Sequence, residues 1–139
     1  MQAIKNAFSE AERLYLEFVR NQERDRVDFD KSGSCAVICL VVDEVCYVAN
    51  TGDSRAVMST NGGKQVITLS NDHKPTDEFE VNRILKNGGM IYQNASYTYS
   101  QFQQNSIVLG PHRVFPGRLS VCRTIGDIEA KAPNLLGNP

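Results

Sequence analysis

The first stretch of the chain alternates apolar and charged residues with the period of an α-helix. Over residues 3–24 the apolar side chains recur at helical spacing and form one stripe. The stripe consists of Ile4, Ala7, Phe8, Ala11, Leu14, Tyr15 and Phe18. The other faces carry mixed charge, which favours a helix packed on a sheet over a helix lying on a membrane surface. Residues 21–31 follow as a charged linker.

Short apolar runs after this linker predict a meander of antiparallel strands. The predicted strands are residues 34–42, 45–50, 55–59 and 65–70. The first is continuously apolar and β-branched, which is typical of a strand covered on both faces. Asp43-Glu44 is the expected turn between the first two strands, although it lacks the glycine that tight hairpin turns prefer. Asn61-Gly62-Gly63 between the last two is a strong hairpin signal.

A second helix is predicted from the sequence after Pro75. Asp77 and Glu80 have the spacing of a capping box at a helix start, with Asp in place of the usual Ser or Thr. Gly88 stands where a left-handed cap would end the helix. Residues 90–92 then begin another strand.

The second half of the chain contains a polar segment of a different composition. Residues 94–105 are rich in Asn, Gln, Ser and Tyr, and they carry neither charge nor an apolar period. This composition favours an inserted surface loop. The closing segment, residues 113–131, has glycine-containing turns at Phe115-Pro116-Gly117 and Gly126-Asp127.

Composition and charge narrow the functional classes. At 139 residues the chain has the size of one domain. Fifteen Lys and Arg against sixteen Asp and Glu give a net charge of −1 without a basic run, which argues against nucleic-acid or anionic-membrane binding. No apolar run is long enough to span a bilayer. A cytoplasmic protein is therefore expected, with the nucleus as the alternative.

The four cysteines do not form a metal-binding pattern. Cys35, Cys39, Cys46 and Cys122 contain no CxxC pair, and no His lies at zinc-ligand spacing. Three of them lie within apolar runs, where a reduced cysteine behaves as a small apolar residue. Buried thiols in a reducing compartment are favoured over a disulfide or a metal site.

Polar residues of chemical interest lie at the ends of the predicted strands. They occur in Gly52-Asp53-Ser54-Arg55, Asp72-His73-Lys74 and residues 123–127. A carboxylate at a strand end can bind a hard cation such as Mg²⁺ or Mn²⁺. Turns also favour Asp for its hydrogen bonds to the backbone, so a single Asp is weak evidence for a metal. The residues alone therefore predict an antiparallel sheet with helices and acidic turns.

Five motifs in order extend this interpretation. They are Ser-Gly-Ser-Cys-Ala-Val, Val-Ala-Asn-Thr-Gly-Asp-Ser-Arg-Ala-Val, Asn-Asp-His-Lys-Pro-Thr, Glu-Val-Asn-Arg-Ile-Leu-Lys-Asn-Gly-Gly and Gly-Arg-Leu-Ser-Val-Cys-Arg-Thr-Ile-Gly-Asp. Residues 32–131, which contain them, resemble the central part of the metal-dependent protein Ser/Thr phosphatases of the PPM, or type 2C, family.

The resemblance implies an α+β fold in which antiparallel sheets are flanked by helices, as part of an α-β-β-α sandwich. It implies hydrolysis of phosphoserine and phosphothreonine in phosphoproteins by water activated between two or more Mg²⁺ or Mn²⁺ ions. On this basis residues 1–139 form a single incomplete phosphatase domain. Its expected parts are a helix and linker (1–31), a sheet and helix core (32–92), a flap-like insertion (93–118) and a closing segment (119–139).

The resemblance also assigns expected roles to individual residues. Asp53 matches a family Asp that helps to bind a peripheral third metal. Arg113 matches an Arg of the flap that can approach the phosphosubstrate, and residues 94–110 fall in that flap and could bind a partner protein. Five further residues match signature positions, for which structural hydrogen bonding is favoured over catalysis. These are Arg55, Asp72, His73, Arg123 and Asp127.

Two departures from the family pattern leave two readings open. The upstream Asp-Gly-His-Gly-Gly segment and the downstream Asp segments that hold the main metal pair have no counterpart here, and the sequence contains no Trp. No catalytic residue is therefore identifiable, and the chain alone is expected to be inactive. The first reading is a fragment of a phosphatase, which is favoured. The second is a non-catalytic module that binds or assembles proteins.

Overall fold

The computed structural model describes residues 1–22, 30–98 and 106–131. Helices and antiparallel strand pairs alternate along these ranges, so the predicted α+β class is confirmed. The helices are α1 (Gln2–Gln22), α2 (Glu78–Lys86) and α3 (Ile128–Lys131). The strands are β1 (Gly33–Ser34), β2 (Ala36–Val42), β3 (Val45–Thr51), β4 (Val57–Thr60), β5 (Gln65–Thr68), β6 (Met90–Thr98), β7 (Ser106–Phe115) and β8 (Ile125–Gly126).

The described residues divide into two compact units. Unit 1 contains Met1–His73 and Arg123–Glu129, and thus α1, the strands β1 to β5 and β8. Unit 2 contains Lys74–Cys122 together with Ala130 and Lys131, and thus α2, β6 and β7. Most of the described strands therefore belong to unit 1.

The small core of unit 1 lies where α1 meets the segment after β8. α1 buries Leu16 and Val19 against Ile128, with Tyr15 of the predicted apolar stripe packed beside them. Leu16 and Val19 do not belong to the predicted stripe, so the buried face of α1 differs from the predicted one. Leu14 and Phe18, which belong to the same stripe, remain about half exposed. The contact holds α1 to β8 because it removes apolar side chains from water.

Backbone hydrogen bonds complete this junction. β1 pairs with β8 in antiparallel register, with Gly33 opposite Gly126. The Asp127 N–H donates to the carbonyl of Ser32 over 2.9 Å, and the Gly126 N–H donates to the Glu12 carboxylate over 2.8 Å. Hydrogen bonds therefore join β8 both to β1 and to α1, although these elements are far apart in sequence.

The predicted hairpins form, but as separate two-stranded ladders rather than as a meander. Among the described strands, β2 pairs only with β3, and β4 pairs only with β5. Val42 pairs directly with Val45, so Asp43-Glu44 is a two-residue turn, and Asp43 has a φ of 53°. Asp tolerates this left-handed conformation better than most residues, which explains a tight turn without glycine. The third and fourth strands begin or end one or two residues away from their predicted bounds.

The expectation that β2 is covered on both faces is wrong for this structure. Val41 is 65% exposed on one face, and Ile38 is 46% exposed on the other. The expectation of buried thiols is also wrong, because Cys39 and Cys46 are exposed and Cys35 and Cys122 are only half-buried. For β2, Cys39 and Cys46 the physical reason is the same: none of the other described elements covers these positions of the β2–β3 hairpin.

In unit 2, α2 begins where the capping pattern predicts. The Asp77 carboxylate accepts hydrogen bonds from the N–H groups of Phe79 and Glu80 over 3.0 and 3.2 Å. The Glu80 side chain is buried and pairs with Arg83 over 2.7 Å, and Arg83 also donates to the carbonyl of Cys122. Gly88 ends the helix in the predicted left-handed conformation, with a φ of 81°.

The loop predicted over residues 94–105 is corrected at its N-terminal end. β6 extends to Thr98 and pairs with β7, with Ala95 opposite Leu109. The ladder is interrupted by one irregularity between Gln93 and Ala95. Residues 99–105, the remainder of the predicted loop, lie outside the described residues. Backbone pairing with β7 forms a strand here although the side chains show no apolar alternation.

Replacing Asp77 with alanine is expected to lower the free energy of unfolding by about 1 kcal/mol, because two N–H groups at the start of α2 lose their acceptor. Urea denaturation followed by circular dichroism measures this change. Asp77→Ser, which retains an acceptor oxygen, is the matched control and should cost much less. An equal loss in both variants would contradict the capping role.

Candidate functional site

The candidate site of unit 1 is built around the turn that follows β3. Gly52 is buried and has a φ of 108°, a conformation that favours glycine. Its N–H donates to Nδ1 of His73 over 3.2 Å, and the His73 N–H donates back to its carbonyl over 2.9 Å. Asn50 Nδ2 donates to the carbonyls of Gly52 and Asn71 over 3.1 and 2.8 Å. These bonds fix the turn against residues 71–73.

Asp53, the predicted metal ligand, follows this turn with an exposed side chain. The Cys35 thiol donates to its Oδ1 atom over 3.6 Å. A Cβ atom on Gly52 would overlap Cys35 Sγ, so the absence of a side chain at residue 52 permits the approach of Cys35. The fixed turn therefore presents one carboxylate to solvent, with a sulfur atom beside it.

Arg55 and Asp72, two predicted signature residues, form a bidentate ion pair. Arg55 Nε and Nη2 donate to the two carboxylate oxygens of Asp72, each over 2.8 Å. Hydrogen bonding to Asp72, reinforced by its charge, raises the pKa of the Arg55 guanidinium. The Asp72 side chain is only 9% exposed, whereas that of Arg55 is 53% exposed. The pair thus joins the start of β4 to the segment that contains His73.

Asp127 lies in a different part of unit 1. Its φ is 51°, and a Cβ on Gly33 would overlap its carboxylate, so Asp127 covers the backbone of β1. Arg123 is half-buried a short distance before β8. Sequence reasoning placed both among the signature positions, and the structure places them beside the α1–β8 junction.

Arg113, the predicted substrate-binding residue, belongs to unit 2. It lies on β7 opposite Tyr92. Its Nη1 donates to the carbonyl of Arg118 over 2.8 Å, and Arg118 has a φ of 59°. Val114 also bonds with Leu119, so two contacts close the turn after β7. The guanidinium of Arg113 is thus held by the turn that follows β7.

The described residues offer few ligands for a metal ion. Among those residues, no three His, Cys, Asp or Glu side chains come together in a way that could hold a metal ion. Asp53 could therefore supply one oxygen ligand, as the sequence predicts, and the described neighbours do not complete a site around it. Its assignment as a metal ligand stays a prediction.

Sequence reasoning missed two contacts near these residues. The hydroxyl of Tyr15 donates to the carbonyl of Ser32 over 3.2 Å, and burial together with the charge of Asp30 raises the pKa of this phenol. The Glu12 carboxylate accepts from the Gly126 N–H. Tyr15 was interpreted as a member of the apolar stripe, and Glu12 as a residue of the charged faces of α1. The helical pattern does not indicate which backbone groups these side chains bind.

Replacing Arg55 with lysine is expected to lower the free energy of unfolding. Lysine retains the charge but loses the second parallel hydrogen bond to Asp72. Urea denaturation measures the loss. The exposed pair of Arg13 with Glu10 offers a matched control, since Arg13→Lys lies in solvent and should cost less than Arg55→Lys. Equal costs at the two positions would contradict the anchoring role of Asp72.

None of the helices in the described ranges combines the length and apolarity needed to cross a membrane.

Comparison with known proteins identifies the family to which the sequence is similar. The family model described as Protein phosphatase 2C matches residues 1–139. "Probable protein phosphatase 2C 78" of Oryza sativa subsp. japonica is 34% identical over 99% of this chain and 33% of its own length. "Probable protein phosphatase 2C 78" of Arabidopsis thaliana is 46% identical over 84% of this chain and 24% of its own length.

A third relative matches a shorter stretch. "Protein phosphatase ppm-1.G" of Caenorhabditis elegans is 52% identical over 62 residues, which are 45% of this chain and 12% of that protein. The chain thus spans about a third or less of the length of these curated relatives.

Proposed function

Because this chain belongs to the protein phosphatase 2C family, we propose that it is part of a protein serine/threonine phosphatase. The reaction is hydrolysis of phosphoserine and phosphothreonine in phosphoproteins by water activated by bound Mg²⁺ or Mn²⁺. The observation that carries the proposal is the match of the family model along residues 1–139. The names of the similar proteins from rice and Arabidopsis support the same activity.

The described residues supply few ligands for such metals. A two-metal centre needs several oxygen ligands, and the described part of the chain contributes one exposed carboxylate, Asp53, to the candidate site. These residues do not fit such a centre on their own. We therefore propose that the isolated chain has little or no Mn²⁺-dependent phosphatase activity.

The role proposed for this chain's site residues is to position Asp53. His73 and Asn50 bind the backbone of Gly52, and the Arg55–Asp72 pair ties the chain just after Asp53 to the segment that contains His73. A carboxylate whose backbone is fixed in this way loses less conformational entropy when it binds a cation. The described geometry thus supports a role for these residues in holding the Asp53 carboxylate in place.

The first experiment compares the isolated chain with the native protein purified from its source. Intact mass measures whether the native protein is longer than this chain, and hydrolysis of a phosphothreonine peptide with Mn²⁺ measures activity. A longer native protein with Mn²⁺-dependent turnover supports the proposal. A native protein of this mass, without turnover, would favour the alternative of a non-catalytic binding module.

In an active native protein, Asp53→Asn is expected to raise the Mn²⁺ concentration for half-maximal activity about tenfold, since a neutral amide is a weaker ligand than a carboxylate. Asp43→Asn is the matched control, because Asp43 is another exposed Asp of the same unit and Asn tolerates its positive φ. This control should not change the metal dependence. An unchanged Mn²⁺ profile in Asp53→Asn would remove Asp53 from the metal site.

A further inference from the structure

Two cysteines lie side by side on the β2–β3 hairpin. The strand register places Cys39 opposite Val48 and Cys46 opposite Val41, so the two cysteines are diagonal neighbours on one face. Their Sγ atoms are 3.3 Å apart, within hydrogen-bond distance for sulfur. Both residues are exposed. The hairpin thus presents two adjacent thiols to solvent.

We propose that Cys39 and Cys46 form an oxidisable dithiol that closes a disulfide across the hairpin when the chain meets a peroxide. In the first step a thiolate sulfur attacks one oxygen of hydrogen peroxide, the O–O bond breaks, and a sulfenic acid and hydroxide form. In the second step the other sulfur attacks the sulfenic sulfur, the S–O bond breaks, and the displaced hydroxide leaves as water. Altogether two thiols and one hydrogen peroxide yield one disulfide and two waters.

The local geometry favours this bond over oxidation of isolated thiols. A disulfide requires an S–S separation of about 2.04 Å, so the two sulfurs must approach each other by about 1.3 Å. The two-residue turn at Asp43-Glu44 fixes the strand register and keeps the thiols paired. A sulfenic acid formed on either cysteine therefore has a thiol beside it before a second peroxide arrives.

The contact between the two thiols is symmetric with respect to the order of the steps. Either sulfur can donate the hydrogen bond that joins them. This hydrogen bond, together with partial desolvation, raises the pKa of Cys46. The proposed disulfide is the same whichever sulfur attacks peroxide first. Cys35 has a different neighbour, since its thiol contacts the Asp53 carboxylate.

The experiment treats the folded chain with hydrogen peroxide, blocks the remaining thiols with iodoacetamide and determines the intact mass. Compared with the reduced chain alkylated in the same way, the oxidised chain should lack two carbamidomethyl groups and, in addition, the two thiol hydrogens, which account for about 2 Da. Cleavage after Asp43 or Glu44 separates Cys39 from Cys46, so the two peptides should remain joined until a reductant is added. Sulfinic acids in place of the link, or a disulfide between two chains, would overturn the proposal.

Three variants identify the bonded sulfurs. Cys39→Ser and Cys46→Ser should each abolish the link, whereas Cys35→Ser should leave it intact. If the link persists in Cys39→Ser, another cysteine forms the disulfide, and the proposal is overturned. A second measurement uses the unmodified chain: phenylarsine oxide bridges adjacent thiols and should protect Cys39 and Cys46 together from alkylation. Alkylation of both in its presence would contradict their adjacency.

Discussion

Replacing Gly126 with alanine is expected to lower the free energy of unfolding of unit 1 by about 2–5 kcal/mol. Gly126 is buried with a φ of 84°, and an L-residue in this conformation costs about 1–2 kcal/mol. A Cβ atom would also lie 2.5 Å from the carbonyl oxygen of Ser32, 2.7 Å from Tyr15 Cε1 and 3.1 Å from Gly33 Cα. Overpacking of this kind costs about 1–3 kcal/mol more.

The clash in this variant cannot be relieved by rotating one side chain. Ser32 and Gly33 oppose the new methyl group with backbone atoms, so β1 must move away from β8. That movement would also weaken the bond from the Gly126 N–H to Glu12 and loosen the packing of α1. A total stability of about 5–15 kcal/mol is usual for a domain, so the loss would consume much of it.

Urea denaturation, monitored by the helical signal of circular dichroism, measures the effect, because α1 in unit 1 contributes 21 helical residues to that signal. Gly63→Ala is the matched control within unit 1: Gly63 has a φ of 87°, and no atom lies within 4 Å of the position that a Cβ would take there. It should cost only the backbone strain of about 1–2 kcal/mol. Equal losses in the two variants would show that crowding at Gly126 contributes nothing.

The elements that the sequence predicts well are those encoded by neighbouring residues. The helical period of the first segment predicted α1, and Asp77 with Gly88 predicted the ends of α2, because both signals act within a turn or two of the chain. The Asn61-Gly62-Gly63 turn was found for the same reason, since its residues adopt positive φ values that glycine and asparagine tolerate.

The elements that it predicts poorly depend on what packs or pairs with them. The apolar run of β2 indicates a strand, but it does not say whether another layer covers the strand, and both faces are exposed in this structure. The polar composition of residues 94–98 indicates a loop, yet pairing with β7 makes them a strand. In both cases tertiary contacts outweigh the local signal.

In the candidate site, too, the sequence identified the residues but not their tertiary contacts. The family resemblance selected Arg55, Asp72 and His73 as residues of interest, but only the structure shows that Arg55 binds Asp72 and that His73 binds Gly52. These partners are 17 and 21 residues apart in sequence. No local periodicity relates positions at such separations, so their pairing follows from the register of the hairpins.

Replacing Gly52 with alanine is expected to cost unit 1 about 3–4 kcal/mol, and this loss should be partly reversible. With a φ of 108° the backbone strain resembles that at Gly126. The obstructing atoms differ, because a new Cβ would overlap Sγ of Cys35 and lie 2.6 Å from its Cβ, while the backbone Cα is 3.1 Å away. Most of the crowding therefore comes from a single side chain.

Cys35→Gly removes the two nearest atoms, so the double variant Gly52→Ala with Cys35→Gly should be about 1–2 kcal/mol more stable than the sum of the single losses. Urea denaturation of the four proteins in this cycle measures the coupling, and Gly63→Ala controls for strain, since Gly63 has a φ of 87° in open space. Additive losses would mean that Cys35 does not obstruct the new methyl group. Coupling of the expected size would show that Gly52 lacks a side chain because Cys35 and Asp53 meet beside it, and the turn that presents Asp53 would then depend on this one close approach.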